Sequence, residues 1–375
     1  MMSKLKILLL FVLGLVLVGC AQRVQNSDVV FETNLYSPRY ATGFVIESDG
    51  EGSTLIRVTR PWQGEAIVEQ RLAIFNTPEA CDCYDGQYII GPAERIVCMS
   101  SSHIAMLDAV GALGAVVGVS GKQYIVNEHI VNNAAVRDIG YDSNIDYEAL
   151  LSLRPDLVLM YGITAENSSV TAKLKELNIP YLYLGDYTEQ SPLGKAEWMV
   201  AVGEIVGRRE YSEQLFSDVA SRYEQVCAGI ALEVAPKVMF NIPYQDVWYM
   251  PSDDSYMVRL VEDAGGEYVY KGKNPVGGSR GISLEEALLL VSDADIWLNP
   301  GQVLSMDELR SVVPHFQNTN VVKRGVVYNN NRIRTPYGGS DFWESAIVHP
   351  DVVLRDLAMI LRGEEDDLYY HHKLH

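Results

Sequence analysis

Two arginines and a tyrosine stand close together near the C-terminal end of the chain, in the run "NNNRIRTPYGG": Arg332, Arg334 and Tyr337. Guanidinium groups pair with carboxylates and other anionic edges, and aromatic rings offer contact area with little conformational freedom to lose. Such residues grip a solute rather than break a bond. The same chemistry recurs in other loops that follow apolar runs. Ser101, Ser102 and His103 open a helical stretch, Tyr161 and Tyr187 follow strand-like runs, Tyr249 lies in "YQDVWYM", Asn299 opens "NPGQ", and Trp343 follows the arginine run. Without a second ligand nearby, His103 reads as a polar residue at a helix start rather than a metal ligand.

Bond-breaking chemistry has less support. No H-E-x-x-H pair or P-loop occurs, and "AVGALGAVVG" lacks the first G-x-G pair of a dinucleotide site. A tethered hydrolase would need a nucleophile and base that the sequence does not present together. Cys81 and Cys83 form "CDC" without further clustered ligands, Cys98 sits in the apolar "RIVCM", and Cys227 is isolated. His371, His372 and His375 cluster in "DDLYYHHKLH", which reads as a polar, frayed terminus. No cofactor or resident metal is expected, and the formal charge of −19 argues against nucleic acid as a partner.

The elements that must position these residues alternate. "ERIVCMS", "VVGVS", residues 157–160 and "PYLYLG" read as buried strands, with helices between them, the first opened by a serine cap. A second strand–helix series runs from "KVMFNI" to "GVVYNNN", and "VVLRDLAMILRG" is a last helix. Between the two series, apolar residues recur at helical spacing from about 194 to 229, interrupted at Gly207-Arg208-Arg209. The stretches "IDYEALLSLRPDLVLM" and "ISLEEALLLVSDADIWL" repeat one helix-to-strand unit, one in each series. The expected fold is therefore α/β, two Rossmann-like lobes with mainly parallel sheets joined by a long interlobe helix. The expected division is a signal segment (1–19), a β-rich extension (21–90), a first lobe (91–190), the interlobe helix (191–232), a second lobe (233–363) and a polar tail (364–375).

The chain starts "MMSKLKILLLFVLGLVLVGC", a basic start and a short apolar run ending at Cys20. This is the pattern of an export signal, and the terminal cysteine resembles a bacterial lipobox, which implies lipidation of Cys20. Each buried acyl methylene contributes about 0.8 kcal/mol, so several acyl chains on one cysteine hold a protein at a membrane surface.

Taken together, "RIVCMSSSHIAMLDAVGALGAVVGVSG", "DYEALLSLRPDLVLMYG", "LNIPYLYL", "VGEIVGRREYSEQLF", "LVEDAGGE" and "ISLEEALL…DADIWL" resemble the solute-binding proteins of ABC importers that carry metal chelates. The resemblance spans residues 92 to 362. It implies capture of an iron chelate (siderophore or haem) in a cleft between lobes, by a monomer that passes it to a permease dimer with a cytoplasmic ATPase. A corrinoid such as cobalamin is the alternative ligand, and a surface-capture or signalling lipoprotein without a transporter is the alternative role. Tyr124 and Trp248 match positions where relatives place ligand-contacting aromatics. The resemblance also implies one acidic docking residue per lobe. Glu148 is the first. Literal identity of "EALL" selects Glu286 for the second, but Ser283-x-x-Glu286 reads as a capping box, and equating the caps Asp146 and Ser283 selects Glu285. Glu285 is the expectation.

Overall fold

The computed structural model describes residues 29–64, 68–82, 84–141 and 144–375. The signal segment, Cys20 and Cys83 lie outside the described residues.

Alternating burial in "FVIES" and "TLIRVT" marks strands with one face on a core. They belong to a five-stranded N-terminal sheet of β1 (Thr33–Tyr36), β2 (Phe44–Ser48), β3 (Thr54–Thr59), β4 (Glu69–Phe75) and β5 (Tyr88–Ile90), antiparallel except for the β4–β5 pair.

The first lobe follows as β6 (Ile96–Cys98), α1 (Ser101–Ala109), β7 (Val116–Val119), β8 (Arg137–Asp138), α2 (Tyr147–Leu153), β9 (Leu157–Tyr161), α3 (Ser168–Glu176) and β10 (Tyr181–Leu184). Its sheet has the order β10-β9-β6-β7-β8 and is parallel throughout. Strands buried on both faces need apolar side chains at every position, and "IVC" and "YLYL" are buried without exception.

The expected interlobe helix is two helices. α4 (Pro192–Ile205) and α5 (Arg209–Ala228) break at Gly207, whose φ of +69° suits glycine. α4 is apolar around nearly its whole circumference, the pattern of a helix enclosed on all sides, and it touches α1, α5, the N-terminal sheet and second-lobe helices. At Gly203 an added Cβ would lie 2.0 Å from Ser212 Oγ, so the two helices pack backbone to side chain.

The second lobe comprises β11 (Lys237–Phe240), α6 (Tyr256–Asp263), β12 (Glu267–Tyr268), α7 (Leu284–Asp293), β13 (Ile296–Leu298), β14 (Val327–Asn329), α8 (Pro350–Leu361) and β15 (His372–Lys373). Its sheet order is β12-β11-β13-β14-β15, parallel apart from the last strand. The repeated units therefore lie in separate sheets, with β9 in the first and β13 in the second.

The expectation of a frayed polar tail is corrected. Leu368, Tyr370, His371 and Leu374 are buried, and β15 completes the second sheet. Buried Asp356 on α8 holds the segment, accepting from the backbone N–H groups of Tyr369, Tyr370 and His371, with His371 Nδ1 at 3.2 Å. Among the described residues no group of three His, Cys, Asp or Glu is placed to hold a metal ion.

Candidate functional site

Parallel strands of α/β lobes end in loops on one side, and those loops converge where the two lobes meet α4. In the first lobe, Ser100 caps α1, its hydroxyl accepting from Ser102 N–H and lying 2.8 Å from Ser102 Oγ. Tyr161 ends β9, and Asp186 and Tyr187 form a single 3-10 turn after β10. From the second lobe come Tyr256 and Leu260 on α6, Phe342 and Trp343 in the short helix Asp341–Glu344, and Ile347. These residues, with Pro192 and Lys195 at the start of α4, wall one cavity with an enclosed volume of about 170 Å³ that opens to solvent. That is more space than a single ion needs, and a larger solute would extend through the open mouth.

Most of the wall is apolar or aromatic, and its polar groups gather at one end. Lys195 Nζ donates to the Asp186 carbonyl at 2.7 Å and lies 4.7 Å from the Tyr256 ring centre and 5.9 Å from that of Tyr187. A cation over ring faces is attracted by their negative quadrupole. Burial pushes the Lys195 pKa down and the Asp186 pKa up, and each charge favours the ionised form of the other. Among the described lining residues Lys195 is the only base, and Asp186 balances it. The cavity is close to electrically neutral.

Of the residues expected from sequence to meet a solute, Ser102, Tyr161, Tyr187 and Trp343 come together here. His103 turns the other way. It is fully buried, neither ring nitrogen has a well-aligned hydrogen bond, and burial lowers its pKa to about 3, the nearby Leu159 carbonyl offsetting this only in part. Trp248 has no surface to offer, so a packing role replaces the expected ligand contact. Its indole donates to the Phe240 carbonyl at 2.8 Å and packs against Trp297 and Phe316. Tyr124 marks the seam between lobes: it is part-exposed beside Tyr141, and a Cβ on Gly339 would lie 1.9 Å from its carbonyl oxygen. Tyr249, Arg332, Arg334 and Tyr337 are exposed and outside the cavity wall, the two arginines near enough to His372 to help lower its pKa.

Sequence reasoning missed Asp186, Lys195, Tyr256 and Phe342. Lys195 did leave a signal, a lone base inside the apolar pattern "PLGKAEWMVAV".

The two acidic helix starts share a register. Asp146 accepts from Ala149 N–H at 2.9 Å and Ser283 Oγ from Glu286 N–H at 3.2 Å, which makes Glu148 and Glu285 the second residues of α2 and α7. Both are exposed. The capping box is altered: the carboxylate that engages the Ser283 hydroxyl is that of Glu285, held below the usual glutamate range by its own backbone N–H and that hydroxyl.

The profile described as "Periplasmic binding protein" matches residues 96–331, both lobes and the helices between them. The chain belongs to the periplasmic binding protein family. This is a family of solute-binding proteins and not of enzymes, and the cavity lies between the two lobes on which the match rests. An uncharacterised lipoprotein of Methanocaldococcus jannaschii is 26% identical over 73% of the chain, and the match spans just under two thirds, 66%, of that relative's length. An uncharacterised ABC transporter substrate-binding lipoprotein of Bacillus subtilis is 23% identical over 81% of this chain and 88% of its own. A periplasmic haem-binding protein from Pseudomonas aeruginosa shares the fold, with a TM-score of 0.57, 16% identity, and coverage of 76% of this chain and 98% of that one.

Proposed function

We propose that this chain is the substrate-binding component of an ABC importer and takes up a metal chelate in the cavity between its lobes. The observation that carries the reading is the cavity itself: both lobes and α4 wall it, and its lining is aromatic and apolar apart from a few polar groups, among them Lys195 with the opposite charge of Asp186 nearby. A rigid chelate presents broad, weakly polar faces to such a wall. An iron chelate, siderophore or haem, is the ligand, in keeping with a family fold shared with a haem-binding protein. The second reading is a corrinoid. It draws support from Arg332 and Arg334, which stand outside the cavity and leave an anionic ligand without them. Glu148 and Glu285, in equal register on the two lobes, dock on basic residues of a permease dimer. Lipid on Cys20 tethers the exported chain to a membrane, as in the lipoprotein relatives.

A melting-temperature screen of the lipid-free protein against ferric siderophores, haem and corrinoids tests the reading. A ligand held at about a thousand times its Kd adds about 4 kcal/mol of stability, so at least one chelate raises the melting temperature by several degrees. No shift with any of the three classes removes the metal-chelate reading.

A further inference from the structure

The strands of the second sheet end in asparagines: Asn241 after β11, Asn299 after β13, Asn330 and Asn331 after β14. They line a niche that shares Trp343 with the main cavity. Two of them have their terminal amide accounted for, Asn241 Nδ2 donating to the Tyr249 carbonyl and Asn331 Nδ2 to that of Val303. The other two do not. Asn299 Oδ1 and Asn330 Nδ2 are enclosed and lack a hydrogen-bond partner among the described residues, in residues only 7% and 5% exposed. Asn299 also sits at φ +56°, a left-handed conformation that asparagine tolerates better than most residues.

Folded chains leave few buried polar groups unpaired, so two around one niche call for a partner. Whichever way each amide is turned, each carries both a donor and an acceptor. Their complement is a group with an N–H and a carbonyl and no charge. A carboxylate offers acceptors alone, and among the described residues no basic side chain lines the niche to balance it.

We propose that the asparagine niche is a subsite for an uncharged amide-type group on the periphery of the solute, whose body lies across Trp343 in the main cavity. This rests on the reading of that cavity as the solute site. It narrows the ligand to chelates that carry amides, and away from chelates whose periphery ends in carboxylates.

The test is calorimetric titration of the lipid-free chain with three probes: cyanocobalamin, rich in carboxamides; ferrioxamine B, a hydroxamate chelate with amide linkages; and haem, whose periphery carries carboxylates. The expected result is that an amide-bearing probe binds at least tenfold tighter than haem. Asn299→Asp and Asn330→Asp, near-isosteric changes checked for an unchanged melting temperature, weaken that probe at least tenfold. For wild-type protein, a cyanocobalamin derivative with one carboxamide hydrolysed to a carboxylate, or the corresponding derivative of whichever amide probe binds, gives the same comparison without any substitution. Haem binding as tightly as the amide probes, or aspartate variants of unchanged affinity, would overturn the niche and leave the cavity reading standing. Binding of none of the three would remove both.

Discussion

Lys195 carries its charge where charges are costly. Its ammonium lies between tyrosine rings at the end of an apolar cavity, with the Asp186 carboxyl as its counter-charge. Removing one member of an enclosed ionic pair strands the other, a loss of about 3–5 kcal/mol for a fully buried pair. Here the lysine is only half-buried and the carboxyl can take up a proton, so the cost is smaller. Lys195→Met is expected to lose about 1–3 kcal/mol of stability at pH 8. The loss shrinks as pH falls, because the stranded Asp186, its pKa raised further, takes up a proton more readily. Adding Asp186→Asn removes the pH dependence, as urea melts across that pH range will show. Little of this was legible from sequence. Loop position found Tyr161 and Tyr187, since residues after parallel strands face the cleft. It also offered Tyr249 and Tyr337, because a loop's place in the chain does not say which way its side chains turn. Trp248 failed for a related reason: an indole in an apolar run packs inward when a backbone carbonyl is there to take its N–H.

At the scale of elements, the N-terminal sheet is joined to α4 by carboxylates rather than by apolar packing alone. Glu197, fully buried on that helix, accepts from the Tyr36 hydroxyl and from the backbone N–H groups of Arg39, Tyr40 and Ala41, each at 2.7 Å. Glu189 does the same for Thr42, Gly43 and the Trp198 indole. Two glutamines of the extension meet the edge strand β10, with Gln87 Oε1 accepting from Tyr181 N–H and Gln70 Oε1 from Tyr183 N–H, which covers an edge open to mispairing. Glu197→Ala leaves three backbone donors without their acceptor, that of Ala41 buried and those of Arg39 and Tyr40 part-buried, and is expected to cost about 3–5 kcal/mol. Equilibrium urea unfolding measures it; a loss below about 1 kcal/mol would mean that the sheet is not held through this carboxylate. The alternating strand–helix pattern was legible because its periods differ, two against 3.6. The tail was not, since "DDLYYHHKLH" looks solvent-facing until Asp356, over a dozen residues earlier in the chain, supplies its acceptor.

At the scale of the whole molecule the lobes are latched. Glu344 of the second lobe accepts from Val126 and Asn127 N–H of the first, each at 2.7 Å. Burial raises its pKa from 4.5 to about 7, with Asp341 and Asp108 adding to the rise and the two N–H groups opposing it. A carboxyl whose pKa rises on folding keeps its proton longer in the folded chain. Folding therefore takes up a proton between those values, and the stability from this group falls as pH rises from about 4.5 to 7. Glu344→Gln flattens that part of the stability–pH curve; an unchanged curve would place the titration elsewhere. The docking proposal belongs to this scale too, since it needs both lobes at once. Glu148→Lys with Glu285→Lys is expected to leave solute affinity within about twofold and to reduce uptake to background in a transport assay. Uptake at the wild-type rate would remove the docking assignment.

The most direct measurement of the central claim is calorimetric titration of a metal chelate into the wild-type chain and into Ala346→Trp, which fills the cavity from its second-lobe wall. The account predicts one-to-one binding at or below about 1 μM for the wild type, near −8 kcal/mol. It predicts at least a thirtyfold weakening in the filled variant, measured at a temperature where that variant is fully folded. Equal affinity in both proteins would place the solute elsewhere and contradict the account.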